Sequence, residues 1–210
     1  MKLHTFPPSP NSRKVSVVAE HLGIPLDIVP VDLTTGEQRG SKFLAINPNG
    51  MIPTLVDGDF VLTESNAIML YLAETKPGNA LWGNDARSRA DIARWLFWDQ
   101  GHWMSACGTL LWENFVKSLL KMGTPDPAAV KAGEEKFAKF GAVLDAHLAK
   151  SDYLACGRFT LADIAVGCYF GYAEAGRFPM GSFAAIKRWL TRLESIPAWK
   201  RTAPQMGKAA

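Results

Sequence analysis

The side chains in this 210-residue chain that could do chemistry fall into three short stretches. The first is Pro8-Ser9-Pro10-Asn11-Ser12-Arg13, which sets two hydroxyls and a carboxamide in a proline-rich loop just ahead of a helix. Hydroxyl and amide groups can donate hydrogen bonds to negative charge. No G-x-S-x-G elbow accompanies Ser9, so a nucleophilic serine is not indicated. The second is Thr63-Glu64-Ser65-Asn66, at the head of an apolar helix through Ile68, Met69 and Leu72. A helix start offers unpaired N–H groups and a positive dipole end, which favour a carboxylate, and Glu64 brings the opposite charge. The third is Gly36-Glu37-Gln38-Arg39, where the Gln38 amide can donate and Arg39 or Lys42 adds positive charge. Plainer readings of the same residues are a turn serine at Ser9, an N-cap at Ser12, a well-capped helix at Ser65 and a solvated loop at Arg39.

Other chemistries find little support. His4, His21, His102 and His147 are scattered and form no ligand cluster. Cys107, Cys156 and Cys168 are an odd count without CxxC spacing, which fits buried, reduced thiols in a cytosolic protein and no metal site. A net charge of +3 is too slight to argue for nucleic acid. The opening MKLHTF has no long apolar run, so no signal peptide is expected, and no stretch reaches the apolar length of a membrane span. A cytoplasmic location is the expectation.

The elements that must hold these residues read as two domains. Lys2 to Phe6 is a short strand, Ser12 to His21 a helix closed by Gly23 and Pro25, and Leu26 to Val31 a second strand. Strand, helix, strand is a βαβ unit with parallel strands. Asn47-Pro48-Asn49-Gly50 is turn chemistry, followed by the β-rich run Ile52 to Val56. A proline cannot donate to a ladder, so Pro53 should stand at that strand's start. Asp57-Gly58-Asp59 is a hairpin signal leading to Phe60-Val61-Leu62. The linker is Thr75 to Asn79, after which helical spacing takes over. Helices are predicted over Arg87–Val116 and Ala128–Leu148, then around Ile164 and around Trp189, with no period-2 strand pattern. Thr160-Leu161-Ala162-Asp163 is a capping box with Asp in its last place. The predicted fold is an α/β domain (βαβ-ββα) at residues 1–76 followed by an all-α domain at 84–205.

The run from Asn47 to Ala73, with Ile-Pro, Asp-Gly and Glu-Ser in order, resembles the glutathione-binding half of the cytosolic glutathione S-transferases. The resemblance extends over nearly the whole chain and is most specific in residues 1–75. It implies a thioredoxin-like first domain and a cis Ile52-Pro53 bond, with the Ile52 backbone pairing the cysteinyl part of glutathione. Glu64 and Ser65 would hold the γ-glutamyl end. The first loop is similar to the serine-type pattern of theta-, phi- and nu-like members, with Ser9 as donor to the glutathione sulfur. It also resembles bacterial relatives with Thr-Pro-Asn there, which makes Asn11 a second donor and Ser12 a third candidate. Gln38, with Arg39 or Lys42, would meet the glycyl carboxylate, as in the phi-type G-E-H-K segment. The first loop has no cysteine or tyrosine, which disfavours the omega, beta, alpha, mu and pi patterns.

The resemblance further implies attack of glutathione thiolate on a small hydrophobic electrophile or a hydroperoxide. Alternatives are disulfide reduction by two glutathione molecules without a protein cysteine, or a binding module on the same fold that lost turnover. Glutathione would be a co-substrate, with no metal, and the protein a homodimer joined through the long helix around Arg94 to Gln100, with Asp99 near the partner. The electrophile pocket is expected between the domains, with Trp103, Trp112, Phe115 and Tyr169 as candidate lining.

Overall fold

A computed structural model describes residues 1–204, which group into two compact units. The first holds Met1–Asn79 together with the C-terminal segment from Pro197, and the second is Ala80–Ile196.

The first unit is built on β1 (Lys2–Thr5), α1 (Pro10–Leu22), β2 (Asp27–Pro30), a short 3-10 turn at Glu37–Arg39, α2 (Ser41–Leu44), β3 (Thr54–Asp57), β4 (Phe60–Leu62) and α3 (Ser65–Glu74). The strands form one sheet in the order β2-β1-β3-β4, with β1 and β2 parallel and the other pairs antiparallel. Pro30 ends β2 on the sheet edge, where a missing donor leaves no ladder gap. Pro53 precedes β3 and Gly58 turns the hairpin at φ +62°. Leu3, Val15, Val18, Leu55, Ile68 and Leu72 have no exposed surface and form the core on which α1 and α3 pack together.

Helix α1 begins two residues before the sequence places it. Pro10 occupies its first turn, where a missing N–H is harmless and the fixed φ suits a helix, so Ser9 rather than Ser12 is the N-cap. Gly23 closes α1 in the left-handed region at φ +62°.

The second unit, among the described residues, has no strand, only an isolated bridge between Ala155 and Arg158. Helix runs unbroken from Ala86 to Leu119, longer than the predicted Arg87–Val116 and not uniform. It comprises α4 (Ala86–Trp98), a π turn at Asp99–Trp103, α5 (Met104–Leu111), a second π turn at Trp112–Val116, and α6 (Lys117–Leu119). Each π turn accommodates extra residues and resets which side chains face inward, and 3.6-residue counting cannot foresee that. Then come α7 (Pro127–Leu148), α8 (Leu161–Gly167) with a 3-10 extension at Cys168–Tyr172, and α9 (Ala184–Leu193). Trp103, Phe137, Phe170 and Trp189 are buried neighbours in an aromatic core, and the Trp103 indole donates to Val166 O at 3.1 Å.

The capping box at Thr160 and Asp163 is present in both directions. Asp163 is fully buried and accepts from Leu154 N at 3.0 Å, Thr160 N at 2.9 Å and Trp189 Nε1 at 3.0 Å.

The last helix, α10 (Pro197–Arg201), packs on α1. The sequence assigns it to the helical domain at 84–205, but it groups with the first unit; Gln205 lies outside the described residues. No helix among the described residues is long and apolar enough to cross a membrane.

Candidate glutathione site

Every candidate residue for glutathione lies in the first unit. Ser9, half-buried, accepts Ser12 N–H on its hydroxyl oxygen at 3.4 Å, and its own N–H donates to Phe6 O at 2.9 Å. Phe6 N–H in turn donates to Ser12 Oγ at 3.4 Å, and Arg13 N–H reaches Ser9 O at 3.0 Å. This ring of bonds fixes the loop. The Ser9 oxygen is used as an acceptor for the cap, which leaves its proton for a further acceptor. Ser12, the third candidate, is 2% exposed, and its hydroxyl oxygen accepts from Phe6 inside the ring.

Asn11, in the first turn of α1, meets Ser65, the first residue of α3. The Ser65 hydroxyl donates to Asn11 Oδ1 at 3.5 Å, the long end of the hydrogen-bond range. Two helix N-termini therefore lie side by side, and the positive ends of both dipoles reinforce one another at that point. Glu64, exposed, stands at the N-cap position with φ +66° and ψ 113°, and its side chain makes no capping bond. A non-glycine residue held at positive φ is strained, and such strain clusters at ligand sites.

Ile52-Pro53 is a cis peptide bond. It follows a turn organised by Asn47, which is 1% exposed. The Asn47 amide donates to Met51 O at 2.8 Å and Thr54 Oγ1 at 3.0 Å, and its carbonyl accepts Asn49 N–H at 3.0 Å. In the sequence Asn47 is one more turn residue. Only the fold reveals that its amide spans both ends of the Met51 to Thr54 segment. Gly50, at φ +62°, has the Gln38 carbonyl so close that a Cβ would stand 3.1 Å from it. The Gln38 loop therefore touches the turn before Ile52. Gln38 Oε1 is buried with no hydrogen-bond partner among the described residues; that oxygen can accept from a ligand N–H, and the amide NH2 beside it is the group that can donate to a carboxylate. Arg39 ends the same 3-10 turn and is exposed.

The structure thus brings together Asn11 with Ser65, and Gln38 with the turn leading to Ile52-Pro53. Trp103 and Tyr169, expected as pocket lining, are buried in the second unit's core, whereas Trp112 is 38% exposed and Phe115 half-buried. Among the described residues no group of His, Cys, Asp and Glu side chains could hold a metal ion. None of the three cysteines forms a disulfide and all lie in the second unit; Cys107 and Cys168 are buried, but Cys156 is exposed.

Comparison with known proteins gives the family. The family model for the glutathione S-transferase N-terminal domain matches residues 8–75, and that for the C-terminal domain matches residues 127–199. The chain is 39% identical over 207 residues to glutathione S-transferase 3 of Zea mays, covering 96% of this chain and 92% of that relative. It is 33% identical over 204 residues to FtsZ-localized protein A of Caulobacter vibrioides, covering 94% and 88%. A solved theta class glutathione S-transferase from the citrus canker pathogen Xanthomonas axonopodis pv. citri, with glutathione bound, is similar at a TM-score of 0.86 and 29% identity, covering 99% of this chain and 98% of that one. Matched in both halves and over nearly its full length, the chain belongs to the glutathione S-transferase family.

Proposed function

We propose that this protein is a glutathione transferase of the serine/asparagine first-loop type, in which the Ser9–Asn11 loop ionises bound glutathione. The observation that carries the reading is the meeting of the α1 and α3 N-termini at Asn11 and Ser65. The dipoles of two helix starts favour an anion at that point. The γ-glutamyl carboxylate takes the α3 start at Ser65, and Glu64 pairs with the γ-glutamyl ammonium. The Ile52 backbone receives the cysteinyl peptide, while Gln38 and Arg39 meet the glycyl end. A free thiol is mostly protonated at neutral pH. Hydrogen bonds from Ser9 and Asn11 favour the thiolate and lower its pKa.

The thiolate then attacks a small apolar electrophile. A carbon–sulfur bond forms, the leaving group departs with the electron pair, and the thiol proton passes to solvent. With a second glutathione, the same thiolate reduces a hydroperoxide to an alcohol and water, or a disulfide to two thiols, and leaves as glutathione disulfide. The absence of cysteine from the first unit supports chemistry carried by glutathione's own sulfur. A twofold homodimer is the assembly, and exposed apolar side chains, Phe60 and Val61 on β4 and Phe97 on α4, support it.

The test is calorimetric titration with glutathione, followed by a panel of electrophiles, hydroperoxides and disulfides. Micromolar to millimolar binding with turnover of one substrate class is the expected result. Binding without turnover of any class would favour a binding module, and no binding would overturn the reading.

A further inference from the structure

We propose that Arg13 is a positioning residue for the glutathione thiol, and that the C-terminal helix acts through it. The inference rests on the Ser9–Asn11 reading above. Arg13 is 3% exposed although it carries a permanent charge. Its Nε donates to Thr202 O at 3.0 Å and its Nη2 to Trp199 O at 3.3 Å. The guanidinium lies 4.2 Å from the centre of the Trp199 ring. Both carbonyls belong to the end of α10, where backbone acceptors lose their helical partners. The planar fork of arginine suits two separated carbonyls and an aromatic face at once, and a lysine ammonium cannot reproduce it.

What this clamp holds is the first turn of α1. Arg13 N–H donates to Ser9 O, and Ser12, its neighbour, closes the ring through Phe6 and the Ser9 hydroxyl. A buried arginine with three tertiary contacts thus stands one helical turn below Ser9 and two residues after Asn11. Glu20 and Arg201 add a second, exposed tie between α1 and α10 at 2.5 Å. That pair is solvated and contributes little to stability, so the grip falls on Arg13. Without it, the first turn of α1 loses the anchor that fixes where the Ser9 proton and the Asn11 amide point. Misplacement by a fraction of an ångström at a sulfur contact lowers the rate far more than it weakens the docking of a whole tripeptide.

The experiment compares wild type with Arg13→Ala, Arg13→Lys and Trp199→Leu. Each is titrated with glutathione by calorimetry, and the ionisation of the bound thiol is followed by its ultraviolet thiolate absorbance against pH. The pH profile of kcat is measured with the best substrate. Arg13→Ala should raise the bound-thiol pKa and lower kcat at neutral pH by about tenfold or more, with glutathione affinity changing less than about threefold. Arg13→Lys and Trp199→Leu should shift the pKa the same way by a smaller amount, and they carry the test if Arg13→Ala fails to fold. Unchanged thiol pKa in every folded variant overturns the proposal, as does a parallel loss of affinity and rate without a pKa shift. If wild type itself shows no lowered thiol pKa, the loop reading fails and the Arg13 role fails with it.

Discussion

The Ser65 hydroxyl and the Asn11 side-chain oxygen stand 3.5 Å apart, joining residues 54 positions distant in the chain and the starts of two helices. Ser65 is 6% exposed, so the contact is sheltered. A residue proposed for the γ-glutamyl end of glutathione thereby touches one proposed for its sulfur.

That contact makes Ser65→Ala informative. Removing the hydroxyl deletes the single proton that bonds Asn11 here and that can turn to the ligand carboxylate, with a loss of about 1–2 kcal/mol in glutathione affinity. Glu64→Ala should cost about 1–3 kcal/mol through an unpaired ammonium. Titration calorimetry checks both, and affinities equal to wild type would move the γ-glutamyl end elsewhere.

The Asn47 amide holds Met51 and Thr54 in place around the cis bond. Asn47→Ala leaves those groups and the Asn49 N–H without their buried partner. The expected loss is about 2–4 kcal/mol in urea unfolding, accompanied by weaker glutathione binding. A variant as stable as wild type would mean that the turn holds without the amide.

At Gly50, two penalties coincide. Its φ of +62° disfavours any side chain, and a Cβ would press on the Gln38 carbonyl at 3.1 Å. Gly50→Ala should lose about 1–2 kcal/mol of stability. Since the pressed atom belongs to Gln38, affinity for glutathione should fall more than for glutathione lacking its glycyl residue. Equal losses for both ligands would detach Gln38 from the glycyl end.

Much of this was legible in the sequence, and the failures have physical reasons. Hairpin, capping box and helix starts are local, so Asp57-Gly58, Thr160 to Asp163 and the start at Ser65 could be read directly. Three prolines in five residues have loop composition and point to Ser12 as the helix start, whereas Pro10 is suited to a first turn. Asn47 and Arg13 act across 7 and 189 positions, and no local pattern encodes such reach. Trp103 carries no mark that separates a core indole from pocket lining until the π turns fix the phase of the helix.

Asp163 gives a pH signature. Burial pushes its carboxyl up to about 6, with the donors from Leu154, Thr160 and Trp189 pulling the other way. A folded-state pKa above the unfolded one means that the native state binds the extra proton between about pH 4 and 6. The stabilisation from this group is complete below that window and is lost as pH rises through it. Asp163→Asn removes the titration, so the stability gap between wild type and variant should be larger at pH 4 than at pH 7, by up to about 3 kcal/mol. A gap that is constant or widens with pH, in thermal unfolding at both values, would show that Asp163 stays ionised in the fold.

The central claim is that the loop at Ser9 and Asn11 ionises glutathione, and the pKa of the bound thiol tests it most directly. It should be read by thiolate absorbance in wild type, Ser9→Ala, Asn11→Ala and the double variant, each with its glutathione affinity. The account predicts a wild-type value below that of free glutathione and an upward shift in each single variant. The double variant should shift further than either, while affinity stays within a few-fold of wild type. A bound-thiol pKa equal to that of free glutathione, or one that none of the three variants moves, would contradict it.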